Sequence, residues 1–463
     1  MIRARWFLLS AALLAFGGSL GSGFHFDDYS IVTDPHLTSE SGWLQIFSLR
    51  QTRPLTFLTL WINAAVGAPW LYHAVNLALH LGAVALAFEC LRRLLPERAA
   101  IAATAIFALH PLQAEAVDYI WARSIVLATL FCLAAMLDWL EGRPWTAVVW
   151  FALALLAKEE VAAFPLVLWW LNRKRTAPAL AMLGLSAVAG ARAAYVTAVT
   201  AGSGAGLQAG ITPGHYLLAE GLAILRYLRL LIVPYGFTID PDVKVPPVWL
   251  GVLGWVGVAA VALLAWRYSK WALAGLVLLI PSSTIFPAAD LAVDRRMYLP
   301  LFAFAAAAGP YLTRAWTAGG VAALLTILSL FRTSIWMDDR ALWAEAVDRA
   351  PDKVRPRIWL ARSLPAGKAL EVLDKARDLA PYDATVAAEM GKTLVSEGQY
   401  EGALQEFGRA LAIDPRDARN YNNRGVALAG LGQREAARAD FEHALRLDPG
   451  LAEARQNLEK MAK

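Results

Sequence analysis

The chain has 463 residues, of which 58% are hydrophobic and 17% charged, and it carries eighteen Trp. Soluble domains average about 45–50% apolar and about 25% charged, and Trp favours membrane interfaces, so the composition excludes an ordinary soluble protein and points to a polytopic membrane protein. The net charge of +5 is too small for a nucleic-acid surface, and the only cysteines, Cys90 and Cys132, lie inside apolar runs, which leaves neither a disulfide framework nor a CxxC zinc site.

A helix needs about 20 apolar residues to cross a bilayer. Runs of that kind start near Trp6, His73, Ala99, Ala122, Trp145, Val161, Pro178, Val248, Trp271, Tyr298 and Trp316, which predicts about 11 spans. Basic joints orient them. Arg3 and Arg5 precede the first run, Arg92, Arg93 and Arg98 follow the second, and Arg173, Lys174 and Arg175 follow the sixth. Arg267 and Lys270 separate the eighth and ninth, and Arg314 follows the tenth. With a cytoplasmic N-terminus, all of these clusters fall on the cytoplasmic side. The odd number of crossings then places the C-terminal region on the opposite, periplasmic face. The segment Tyr216–Pro234 is as long as a span, but Glu220, Arg226 and Arg229 make it a poor one. It reads as an interfacial or re-entrant helix on the outer face, with a span over 214–234 as the alternative. The first run, ending in "GGSLGS", also has signal-peptide features.

This topology gathers unlike charges outside. Asp27 and Asp28 fall in a first outer loop over residues 23–53, and Arg53 and His73 fall at the outer end of the second span. "HPLQAEAVDYIWAR" (110–123), "KEE" (158–160), "IDPDVK" (239–244) and "DLAVDRRMYLP" (290–300) are outer joints as well. Ionisable groups at a membrane edge are a functional signal by default. Each has a plainer reading. The acidic pair caps a turn equally well. His73, Asn76 and His80 share one helical face and suit helix–helix bonding, His80 above all. The "KEE" run suits a solvated corner, and Arg295–Arg296 an interfacial anchor.

After "WMDDRALW" the composition turns charged and alanine-rich. The chain divides into a polytopic domain over 1–335 and a linker with repeats over 336–463. Gly391 and Gly425 are 34 apart, and so are Ala403 and Ala437, Phe407 and Phe441, Ala410 and Ala444, and Pro415 and Pro449. That period, with small residues where two helices approach and an aromatic between them, is the tetratricopeptide pattern. Ala369, Leu373, Ala376 and Pro381 suggest an earlier unit with a shorter inter-helix turn, giving about three repeats. The expected fold is all-α: a helical membrane domain followed by a short α-solenoid.

Taken in order, "FHFDDYSIVTDPHL", "RPLTFLTLWIN", "YHAVNLALHLGAVAL", "FALHPLQAEAVDYIWAR", "AKEEVAAFPLVL" and "DRRMYLPLFAF" resemble the motifs of the transmembrane and tetratricopeptide-repeat O-mannosyltransferases and their bacterial relatives. These are polytopic enzymes of the GT-C glycosyltransferase superfamily. The linker "WMDDRALWAEAVDRAP" matches as well, and the resemblance runs along essentially the whole chain. The repeat region here is shorter than in the eukaryotic members.

The resemblance implies a multi-pass protein of a bacterial inner (plasma) membrane. It would move mannose or a related hexose from a polyprenyl-phosphate carrier to a hydroxyl of an exported protein or envelope glycan, with inversion. It assigns the acidic pair of the first outer loop, Asp27 and Asp28, to catalysis. One carboxylate, Asp28 by preference, takes the hydroxyl's proton, and its neighbour orients the acceptor or tunes the base by like-charge repulsion. Arginine suits the departing phosphate. Arg295 and Arg296 come first, because the matching motif covers them, followed by Arg123, Lys158, Arg226 and Arg229. Arg53, His73, Asn76, His110, Glu115, Glu159 and Tyr298 are expected around the sugar and acceptor. A divalent cation is compatible with this chemistry but not required. The repeats would dock the acceptor, membrane lipids surround the spans, and no nucleic acid is expected. The rival reading is a membrane-anchored repeat scaffold, which gives no reason for so many spans. A transporter would need its polar groups near the midplane.

Overall fold

The computed structural model describes residues 2–39, 41–48, 51–200, 205–206, 209–283, 286–288 and 290–462. Its regular elements are helical, and the described residues add one isolated bridge, Ala205 to Ala288. Contacts divide the chain into Met1–Asp338 and Asp339–Lys463.

In the first unit, six helices are long and apolar enough to cross a membrane: Ile2–Gly21, Pro69–Leu94, Ile120–Leu140, Thr176–Val199, Val248–Tyr268 and Ala315–Trp336. A seventh span is available if Glu97–Leu109 and Pro111–Asp118, bent by 45°, count as one. The other expected runs do not form full-length helices. Pro144–Ala157 has 14 residues, Phe164–Leu171 has 8, Lys270–Leu279 has 10 and Tyr298–Ala308 has 11. Proline explains part of this. It fits the first turn of a helix but cannot continue one, so Pro111 and Pro165 restart helices at breaks. Pro144–Ala157 ends directly before Lys158, and Tyr298–Ala308 begins directly after the turn Asp294–Met297.

The segment Tyr216–Pro234 forms helix Pro213–Ile232, which is not among the six. It packs against the loop that carries Arg295. The Tyr216 hydroxyl donates to Ser282 O, Glu220 meets Arg296, Arg226 meets Asp294, and the Tyr227 hydroxyl accepts from Val293 N. It crosses the first half of helix Val248–Tyr268 at glycines. A Cβ on Gly221 would lie 2.8 Å from Trp255 N, and one on Gly251 2.8 Å from Leu218, so small residues set the spacing.

The second unit is a tetratricopeptide solenoid. Helices Ala384–Ser396 and Tyr400–Ile413 form one repeat, and Ala418–Gly430 and Arg434–Leu447 the next. Asp383 and Asp417 cap the first helix of each through amides of Thr385 and of Arg419 and Asn420. Gly398 and Gly432, at φ of 69° and 77°, turn the chain within each pair. In the earlier unit the turn is not shorter: residues 363–365 match 397–399 in number. Its first helix, Val354–Arg362, is short instead, with 9 residues against 13.

Candidate functional site

The acidic pair sits in a tight loop after the first long helix. Phe26 has φ of 43°, the only positive value on a non-glycine among the described residues, and such a conformation costs about 1–2 kcal/mol. The loop is held by its own carboxylate. Asp28 is fully buried, and its two oxygens accept from His25 N at 3.1 Å and Trp121 N at 2.8 Å. Burial pushes its pKa up to about 7, against the opposing pull of His25 and these amides. Asp27 is half-buried, and its amide donates to the Tyr119 hydroxyl at 3.1 Å. Asp28 ties the loop to Trp121, and Asp27 is the more exposed acid of the pair.

Tyr119 links this loop to the cations. The Arg295 guanidinium lies 5.8 Å from its ring centroid. Glu115 fixes Arg295 twice, accepting from its backbone N at 3.1 Å and its guanidinium at 2.5 Å. Trp336 stacks on Tyr119 with ring centroids 5.6 Å apart and meets the His25 ring edge-on at 5.9 Å. The 3-10 turn Glu159–Val161 supplies the next layer. Arg53 grips Glu159 with two hydrogen bonds, of 3.1 and 2.6 Å. Burial would raise the Glu159 carboxyl, but Arg53 holds it at about 2. The buried Lys158 ammonium meets Glu160 at 3.1 Å. Burial brings its pKa down to about 8; Glu160 opposes this, and the charges of Arg53 and Arg295 add to it.

Several expected residues build the fold instead. Arg123 is wholly buried. Its guanidinium donates to Asn76 Oδ1, Thr59 O, Asn63 Oδ1 and Tyr72 O at 2.6–3.1 Å, which engages four of its five N–H groups within the bundle. Asn76 returns its amide to Tyr119 O. His73 Nε2 meets Gly23 O at 3.0 Å, and His110 bonds Leu231 O and Leu112 N. Tyr298 lies in the core with its hydroxyl 2.7 Å from His80 Nδ1. Arg296 is buried against Glu220 and the carbonyls of Asp290 and Leu291. Arg229 is exposed and donates to Tyr235 O. The structure thus brings together Asp27, Asp28, Glu115, Arg295, Arg53, Lys158 and Glu159. Sequence reading missed Tyr119, His25 and Trp336. Tyr119 lay within a quoted joint, but only the fold shows that it touches both Asp27 and Arg295. The described residues hold no cluster of three or more His, Cys, Asp or Glu suited to a metal ion.

Beside the Arg53–Glu159 pair opens a groove of about 260 Å³ between helices Pro144–Ala157 and Thr176–Val199. Its walls are apolar, with Leu155, Leu156, Leu185 and Val188, and Glu159 and Arg192 stand in its lining. Arg192 also bonds the carbonyls of Ser48 and Gln51.

Comparison with known proteins agrees with this architecture. The TPR repeat family matches residues 391–432, and the tetratricopeptide repeat family matches 418–451. A Caenorhabditis elegans protein O-mannosyl-transferase is 32% identical over 186 residues, covering 34% of this chain and 26% of that protein. The Mus musculus protein O-mannosyl-transferases TMTC3 and TMTC2 are 28% and 32% identical over 165 residues each. They cover 32% and 31% of this chain and 18% and 20% of their own lengths.

Over about a third of its length, the chain is similar to the protein O-mannosyl-transferases.

The relationship bears out the resemblance read from the motifs, although the matched part spans about a quarter or less of those relatives. Among solved structures, the Arabidopsis OM64 TPR domain is 27% identical with a TM-score of 0.20, covering 21% of this chain and 79% of that one. A MamA variant is 26% identical with a TM-score of 0.25, covering 26% and 71%.

Proposed function

We propose that the chain is a membrane glycosyltransferase that moves a hexose, mannose by the names of its relatives, from a polyprenyl-phosphate carrier to a protein hydroxyl. One observation carries the reading: Asp27 and Arg295 are joined through Tyr119. This sets a base beside a cation that can accept a phosphate. The acceptor oxygen attacks the anomeric carbon while Asp27 takes its proton. The bond from that carbon to the phosphate oxygen breaks, and its electron pair leaves with the polyprenyl phosphate. A single displacement inverts the anomeric centre. The leaving group departs ionised, so no general acid is needed, and Arg295, Lys158 and Arg53 take up its charge. Asp28 acts as a positioning residue that holds the Asp27 loop. The apolar groove beside Arg53 and Glu159 suits the prenyl chain. The reaction belongs to the outer face of a bacterial inner membrane, where the basic joints leave this end of the bundle. The solenoid docks the acceptor. The scaffold reading offers no use for a cluster of seven charged groups, three of them buried, at one end of the membrane unit.

The test is transfer of labelled hexose from polyprenyl-phosphate donors to endogenous acceptors in membranes, at matched expression. Wild type should transfer, Asp27→Asn should lose transfer, and Asp28→Asn should retain part of it. Equal transfer by all three would remove the pair from the chemistry and favour the scaffold.

A further inference from the structure

A second groove lies at the other end of the bundle, and the reaction above does not use it. It has a volume of about 310 Å³ and is lined from helices Phe164–Leu171 and Lys270–Leu279 and from Trp266, near the end of Val248–Tyr268. Chain direction fixes its place. Helix Phe164–Leu171 leads away from Lys158–Glu160 and reaches the groove's Arg173. Helix Lys270–Leu279 starts at the groove and leads toward the loop that carries Arg295. Both cations of the groove therefore stand at helix ends remote from the acidic pair.

The walls are apolar, with Leu166, Leu273 and Val277, and the rim is aromatic and basic. Trp266 is 72% exposed, as a tryptophan at a membrane interface is. Lys270 lies 5.9 Å from the Trp170 ring centroid, and Arg173 lies 5.5 Å from that of Trp169. Among the described residues, neither cation has a carboxylate partner, whereas Arg53, Lys158, Arg226, Arg295 and Arg296 each have one. An apolar slot facing lipid, closed by tryptophan and two unneutralised cations, matches one occupant in charge and polarity. Basic pockets between membrane helices bind anionic lipid headgroups, at about 1 kcal/mol per cation near the surface.

We infer that this groove holds one anionic phospholipid, with an acyl chain along Leu166, Leu273 and Val277 and its phosphate between Arg173 and Lys270. A zwitterionic lipid fits less well, because its amine would be brought toward the same two cations. The site lies apart from the donor groove at Glu159 and does not depend on the proposed transfer.

Native mass spectrometry of the full chain in mild detergent tests this, with phosphatidylglycerol and phosphatidylcholine added at equal concentration. The wild type should retain one phosphatidylglycerol per chain, in at least about tenfold preference over phosphatidylcholine. Arg173→Gln with Lys270→Gln should abolish the preference, and Arg314→Gln, at another basic joint, should keep it. Leu273→Trp leaves both cations and fills the slot, so it should lose the lipid even if the double variant does not fold. Equal retention of the two lipids by the wild type would overturn the inference. So would undiminished phosphatidylglycerol binding in Leu273→Trp. A lipid-free dimer abolished by Leu273→Trp would assign the groove to a second copy of the chain instead.

Discussion

Asp27 and Arg295, 268 positions apart in the chain, meet on one side chain: the Tyr119 hydroxyl accepts the Asp27 amide at 3.1 Å, and the Arg295 guanidinium sits 5.8 Å from the centre of its ring. The hydroxyl and the ring can be separated by substitution. Tyr119→Phe keeps the ring under Arg295 and deletes the acceptor for Asp27 N–H. A neutral hydrogen bond contributes about 1 kcal/mol, so kcat should fall by about 5- to 10-fold with little change in donor KM. A rise in donor KM at unchanged kcat would mean that the tyrosine serves the cations and not the base.

Arg123 should behave as a structural residue. Its guanidinium satisfies Asn76, Asn63, Thr59 and Tyr72 at once. Removing it leaves buried neutral acceptors unpaired, at about 1–3 kcal/mol each. Arg123→Met should lower the thermal unfolding midpoint in detergent, while activity per folded molecule is retained. Arg123→Lys should rescue little, because an ammonium has three donors and no planar fork. Full stability with lost donor binding would return Arg123 to the phosphate site.

Lys158 gives the site a pH limit. With its pKa at about 8, the ammonium is charged below that pH and neutral above it. The neutral form cannot stabilise a phosphate charge, so kcat/KM for the donor should fall as pH rises through about 8. Lys158→Arg keeps its charge to far higher pH and should remove that falling limb. The measurement is the pH profile of kcat/KM, which reports groups of the free enzyme.

In the solenoid, Gly391 and Gly425 are packed against Phe407 and Phe441. An added Cβ would stand 2.6 and 2.7 Å from those rings. Gly425→Val should destabilise the second unit by about 1–3 kcal/mol through overpacking. Limited proteolysis of the full chain should then cut within residues 418–451 faster than in the wild type. If the repeats dock the acceptor, transfer to protein should fall while donor hydrolysis, where measurable, stays level.

The sequence by itself determined the class of the molecule. Composition dictates a membrane protein, because 58% hydrophobic residues exceed what a soluble core can bury. A 34-residue period dictates the solenoid, because each unit needs the same small and aromatic residues at the same contacts. Ordered motifs pointed to the family. The number and length of the spans were less legible. Hydropathy sees apolar runs but not where proline or an inward-facing charge ends a helix, and Pro144–Ala157 stops directly before Lys158 for that reason.

Only the tertiary structure decided which polar residues work together. Arg123 and Arg295 look alike in sequence, each an arginine in a polar joint. One is buried and gives four of its five N–H groups to backbone and amide oxygens, and the other is held by Glu115 with its guanidinium turned to Tyr119. Likewise Asp27 and Asp28 are adjacent carboxylates until the fold buries one against the amides of His25 and Trp121. Partnership and burial are set by distant segments meeting in space. The free energy of a charged side chain depends on those partners and not on its neighbours in the chain.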